Sequence, residues 1–192
     1  FGGSSVANAE NIKKVIAVIK ERTAGKQTIV VVSALGGITD LLLQCSQLAS
    51  EGQESYQSIL TEIEQRHLQT VRDLIPINNQ SGLLSFVKTQ CNEIEDICNG
   101  IFLLQELSAR TKDRMASYGE LMSSKIITAA LVAENIATHW IDSRQLIITN
   151  SDFGNALVNF NTSNQNIVQY IKNNPADLYL APGFIASNAE GI

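Results

Sequence analysis

The run Thr28-Ile29-Val30-Val31-Val32 constrains this chain more than any other feature. It is β-branched throughout and has no polar alternation. That pattern predicts a strand buried on both faces, as in a parallel sheet. The run leads directly into Ser33-Ala34-Leu35-Gly36-Gly37-Ile38-Thr39-Asp40. There two glycines and two hydroxyl residues precede a helix with Leu41, Leu42, Cys45 and Leu48 on one side. Upstream, Asn8 is placed to cap a helix in which Ile12, Val15, Ile16 and Ile19 repeat at helical spacing, with Gly25 as its end.

The stretch 54–133 is almost wholly helical in pattern. Ile59, Ile63 and His67 form one stripe, which Pro76 interrupts. Leu83, Leu84, Phe86 and Val87 open a second, continued by Cys91, Ile94, Cys98 and Ile101. Gly119-Glu120 falls where a third helix is expected to start or bend, ahead of Ile126, Ile127 and Leu131. Short strands are predicted over 138–141 and 146–149. Thr162 is a candidate cap for a helix through Tyr170, and Asp177-Leu178-Tyr179-Leu180-Ala181 reads as a last strand. The order strand–helix–strand, interrupted by a helical block, predicts an α/β fold with helices covering a mostly parallel sheet.

Composition narrows the function classes. The 192 residues are 44% hydrophobic and 17% charged, enough apolar material for a real core. Lys and Arg number 14 against 19 Asp and Glu, for a net charge of -5, and no basic stripe is visible. This argues against a nucleic-acid or anionic-membrane partner. The longest apolar runs are too short to span a bilayer. Three cysteines, Cys45, Cys91 and Cys98, suit a reducing cytoplasm better than a disulfide framework. The chain opens on a glycine turn of the kind that normally follows a strand. It therefore reads as a piece cut within structured sequence at both ends.

Three places offer chemistry. Gly2-Gly3-Ser4-Ser5 brings free N–H groups and hydroxyls into a helix start, which suits a phosphate; it could equally be a plain strand-to-helix turn. Neither a Walker A loop nor a dinucleotide glycine fingerprint is present. Ser33 and Thr39 sit beyond the carboxyl end of a strand, where open α/β sheets bind ligands, although Thr39 or Asp40 could merely cap the helix. Glu120 follows Gly119 inside an apolar helix, where it could hold an ammonium group or be an exposed helix acid. His67 and His139 lack metal-ligand spacing, and Cys91 and Cys98 share a stripe expected to pack in the core.

Taken together, these segments resemble the aspartokinases. Phe1-Gly2-Gly3-Ser4-Ser5-Val6 is similar to the family's opening, Val31 through Asp40 to its second block, and Ser117-Tyr118-Gly119-Glu120-Leu121-Met122-Ser123 to its Gly-Glu helix. Thr149 through Ala156 and Ala181-Pro182-Gly183-Phe184-Ile185 resemble two later blocks. The stretch 94–107 looks most like the bifunctional aspartokinase–homoserine dehydrogenases.

The resemblance implies the amino-acid kinase fold, a three-layer αβα sandwich with a helical insertion. It implies transfer of the ATP γ-phosphoryl group, with Mg²⁺, to the side-chain carboxylate of L-aspartate, the first step toward lysine, threonine and methionine. Gly2, Gly3, Ser4 and Ser5 would then cradle phosphate, while Ser33, Thr39, Glu120 and Phe184 would hold aspartate, with Glu120 on its α-ammonium group. A homo-oligomer is implied, and NADP only where a downstream dehydrogenase domain exists. Residues 1–192 are expected to be a partial catalytic domain. The family's catalytic Lys would precede Phe1, and an Arg-bearing segment opening the nucleotide half would follow Gly191. The chain alone is therefore expected to be inactive. A glutamate or acetylglutamate kinase, and a non-catalytic amino-acid-binding module, are the alternatives.

Overall fold

A computed structural model describes residues 1–23 and 25–192. Helix α1 spans Ala9–Arg22, strand β1 Thr28–Val32 and helix α2 Ile38–Ser50. Three long helices follow: α3 at Tyr56–Leu74, α4 at Ser81–Leu104 and α5 at Ala109–Ala133. Strands β2 (His139–Trp140) and β3 (Ile148–Thr149), helix α6 (Phe160–Asn173), and strands β4 (Leu178–Pro182) and β5 (Ser187–Asn188) complete the order.

The sheet is parallel, in the order β1-β4-β2, and β3 and β5 form a second parallel pair. Val30 and Val32 of β1, with Leu178 and Leu180 of β4, face the main core beneath α1, α2 and α5. Tyr179 and Ala181 face the other way, onto Ile167, Tyr170 and Ile171 of α6. The layering is therefore helix, sheet, helix, as expected.

Strand β1 differs from its sequence reading in one respect. Ile29 and Val31 are about half exposed, so β1 is buried on one face only. The register explains this. Ile29 and Val31 lie beside Tyr179 and Ala181, and α6 packs over β4 rather than over β1.

Several boundaries also move. Asn8 caps α1 as expected, its side chain accepting from Asn11 N, but the helix ends at Arg22 with Thr23 as its cap rather than running to Gly25. Helix α6 is capped by Asn159, whose side chain accepts from the Thr162 amide; Thr162 is already inside the helix. The strands expected at 138–141 and 146–149 shrink to two residues each, because Ser143–Gln145 winds into a 3-10 turn between them. Among the described residues no helix is long and apolar enough to cross a membrane.

The helices of 56–133 form one cluster with the sheet's inner face. Ile63, His67 and Val71 of α3 meet Val87, Cys91, Ile94 and Cys98 of α4 in the interior. His67 Nδ1 donates to the Ile63 carbonyl at 2.7 Å, and burial pushes its pKa down to about 4, so it stays neutral. Cys45 and Cys98 come within 3.5 Å of one another as free thiols, and burial holds the Cys91 thiol up at about 12. None of the three thiols is poised for nucleophilic chemistry.

Gly119 corrects a further expectation. It does not start a helix but sits in the middle of α5. A Cβ there would lie 3.0 Å from Ala34 Cβ and 3.2 Å from Ile38 Cγ2. The bare Cα is what lets α5 lie against the β1–α2 turn. Gly119→Val is expected to lower stability by about 1–3 kcal/mol through overpacking, despite its better helix propensity. A urea midpoint for the variant equal to or above that of the parent would contradict this.

Candidate functional site

The carboxyl ends of β1 and β4 meet the chain's opening residues at one edge of the sheet. The Phe1 amino group donates to the Val31 carbonyl, and the Ser33 amide donates back to Phe1 O. On the other side, the Gly183 amide donates to Val32 O at 2.8 Å. Three loops thus converge at the end of β1: residues 1–8, 33–37 and 183–186.

The first two loops touch closely. A Cβ on Gly36 would fall 2.9 Å from Ala7 Cβ and 3.2 Å from Gly3 O, so only glycine fits. In the opening loop, the Ser5 and Val6 amides both turn back to Gly2 O. The amides of Gly2, Gly3 and Ser4 have no partner among the described residues. Ser4 and Ser5 flank them, and Asn11 Nδ2 ties the Ser4 carbonyl to α1. This is a short array of unpaired donors leading into a helix, a geometry suited to phosphate oxygens.

Glu120 comes to the same strand end. Helix α5 carries it to the end of β1, where Ser33 Oγ donates to its Oε1 at 3.1 Å. The residue is 6% exposed, which rules out a solvated helix acid. Its second oxygen, Oε2, is buried with no hydrogen-bond partner among the described residues. Burial raises the Glu120 pKa, and the Ala34 amide and the Ser33 hydroxyl pull it partly back. A buried carboxylate with an empty oxygen is costly unless something positive meets it.

Thr39 stands in the first turn of α2 and is half-buried. It does not cap the helix, and neither does Asp40. Gly37, at φ 78, precedes α2, and no side chain caps it. The Thr39 hydroxyl therefore has no fixed partner among the described residues and is available to a ligand. Phe184 is the outlier of the expected set. It sits next to Gly183 at the same sheet edge, but its side chain is fully exposed and touches nothing in the site. Its φ of 59 is uncommon for a bulky residue, a form of strain that clusters at ligand-binding turns.

Sequence reasoning missed two residues here. Ser123, one turn beyond Glu120 on α5, donates to the Ser33 carbonyl at 2.7 Å and is fully buried. It ties the end of β1 to α5. Arg66 on α3 donates from Nη2 to Gly36 O at 2.6 Å. The three-residue spacing of Ser123 from Glu120 could have suggested the first. Nothing in the sequence links position 66 to position 36.

Comparison with known proteins places this geometry. The profile of the amino acid kinase family matches residues 1–192, and the chain belongs to that family. It is 28% identical, over its full length, to the Arabidopsis thaliana protein named bifunctional aspartokinase/homoserine dehydrogenase 2, chloroplastic, and covers 21% of it. It is 33% identical over 159 residues to Arabidopsis aspartokinase 1, chloroplastic, matching 81% of this chain and 27% of that one. The chain thus spans between about a fifth and a quarter of these relatives. Its fold matches E. coli aspartokinase III, solved in complex with lysine and aspartate, with a TM-score of 0.88 at 24% identity, covering 100% of this chain and 41% of that one.

The raised pKa of Glu120 has a testable consequence for the unliganded chain. A carboxyl whose folded pKa lies above its unfolded value contributes stability that is fully present below the unfolded pKa. That contribution is lost as pH rises through the folded pKa. The charged form of Glu120 is therefore a liability in the free chain. Glu120→Gln is expected to have a higher urea midpoint than the parent at pH 7.5, with the gap shrinking as pH falls toward 4. A variant less stable at pH 7.5, or a gap that widens on acidification, would contradict the assignment.

Proposed function

We propose that this chain holds L-aspartate for phosphorylation, as part of an aspartate kinase. The observation that carries the reading is the buried Oε2 of Glu120, without a hydrogen-bond partner among the described residues and next to an Oε1 that the Ser33 hydroxyl holds. A substrate α-ammonium group would complete Glu120, converting a destabilising charge into a recognition element. Ser33 and Thr39 would orient the rest of the amino acid, and the turn at Phe184 would flank it. N-acetylglutamate, whose nitrogen is an uncharged amide, would leave the Glu120 carboxylate without a counter-charge. This favours a substrate with a free amino group.

In the reaction, a side-chain carboxylate oxygen attacks the γ-phosphorus of ATP while the bond to the β,γ-bridging oxygen breaks. ADP leaves, and 4-phospho-L-aspartate forms. Such transfers depend on positioning and on neutralising charge more than on covalent catalysis. The amides of Gly2, Gly3 and Ser4 would receive the transferring phosphoryl oxygens. Among the described residues no three His, Cys, Asp or Glu side chains gather as a metal site. Magnesium would be held largely by the nucleotide's phosphates and water, as is usual for this ion. The relatives named as bifunctional support a further homoserine dehydrogenase segment using NADP in the full-length protein, with threonine, lysine and methionine synthesis as its setting. Three free thiols suit a reducing compartment such as the cytoplasm.

The test uses the full-length protein with MgATP and hydroxylamine, reading acyl-hydroxamate from L-aspartate, L-glutamate or N-acetylglutamate. Hydroxamate is expected from L-aspartate. Glu120→Ala is expected to raise KM for L-aspartate about 100-fold, in line with loss of a charge-assisted bond in a buried site. Turnover of a different acid would keep the phosphoryl chemistry and overturn the substrate. A folded protein that binds an amino acid but phosphorylates none would instead be a binding module.

A further inference from the structure

We infer that Arg66 is a positioning residue for the amino-acid substrate, bracing from the helical block the turn that carries Ser33 and Thr39. The inference rests on the kinase reading above.

Gly36 is gripped from two sides. A Cβ on it would fall 2.9 Å from Ala7 Cβ and 3.2 Å from Gly3 O, which leaves no room for a side chain. Its carbonyl takes a 2.6 Å bond from Arg66 Nη2. A cationic donor on a backbone carbonyl at that distance is a strong, directional bond. The other guanidinium nitrogen, Nη1, lies 3.9 Å from the place a Gly37 Cβ would occupy, so the fork straddles the turn.

Arg66 has no carboxylate partner among the described residues, where the ion pairs are those of Lys14, Lys88 and Arg144. An arginine placed only to stabilise two helices would be expected to meet an acid or lie in solvent. This one is half-buried and reaches back over the end of β1. Ser33 and Thr39 are each three residues from Gly36, on opposite sides of it. The turn between them has two glycines, one at positive φ, and no side-chain cap on the helix it leads into. Such a segment does not hold its own shape. The Arg66 bond supplies the constraint its sequence lacks, and α3 becomes a brace for the substrate loop.

The test compares Arg66→Gln and Arg66→Lys with the wild-type full-length protein in the hydroxamate assay, with thermal unfolding beside it. Arg66→Gln is expected to raise KM for L-aspartate about tenfold, equivalent to about 1.4 kcal/mol. Its KM for ATP should stay within about twofold and its Tm within about 2 °C, since a half-exposed side chain contributes little to folding. Arg66→Lys, which keeps the charge and one donor, should recover at least half of the loss on a logarithmic scale. Unchanged aspartate kinetics in Arg66→Gln with an active wild type would overturn the inference alone. So would a fall in Tm that accompanies equal losses for both substrates without rescue by Lys. A wild-type protein that phosphorylates no amino acid would overturn the kinase reading and this inference with it.

Discussion

The approach of α5 to the turn after β1 is the constraint on which the site depends. With a hydrogen in place of a side chain at Gly119, the helix comes close enough for a Cβ there to sit 3.0 Å from Ala34 Cβ. One residue later, Glu120 is delivered to Ser33; one turn later, Ser123 reaches the Ser33 carbonyl. Moving the helix out by a methyl group would separate all three. A packing requirement at one position thus determines whether an acid three bonds from the backbone is a surface charge or a buried binding group.

That burial is unfavourable in the free chain and, on the proposed reading, would be useful in the liganded one. The Ser33 hydroxyl and the Ala34 amide answer part of the Glu120 charge, and burial still outweighs them. The remaining oxygen gains nothing until a cation arrives. Stability given up at a site and returned on binding is how a small pocket obtains discrimination. It also explains why the chain places the acid on a rigid, 25-residue helix rather than on a loop. The neighbouring glycine loops contribute backbone donors instead of charge, so the two halves of the proposed site would handle ammonium and phosphate by different means.

Much of this was legible from local pattern. The helical stripe Ile12, Val15, Ile16, Ile19 and the Asn8 cap depend on residues within one helix, and they fold as read. Where reading failed, the deciding contact was distant. The run at 28–32 is as apolar as a doubly buried strand, but burial of Val31 depends on what lies over that side of the sheet, and α6 covers β4 instead. Asn159 displaced Thr162 as a cap because the chain enters α6 from the bridge between Thr149 and Val158, which fixes where the first turn begins. The Gly-Glu pair was visible in the sequence, but Gly119 looked like a helix boundary because its partners, Ala34 and Ile38, are some eighty residues away. Arg66 was invisible for the same reason.

The central claim is that Glu120 is a buried acid awaiting a cation, and its own titration tests that most directly. Carboxyl carbons labelled in the full-length protein, with Glu120→Gln to assign the signal, would be followed by NMR across pH with and without L-aspartate. The account predicts that Glu120 titrates above the other glutamates in the free protein and moves down when L-aspartate binds. A Glu120 that titrates with the surface carboxylates and ignores the ligand would contradict it.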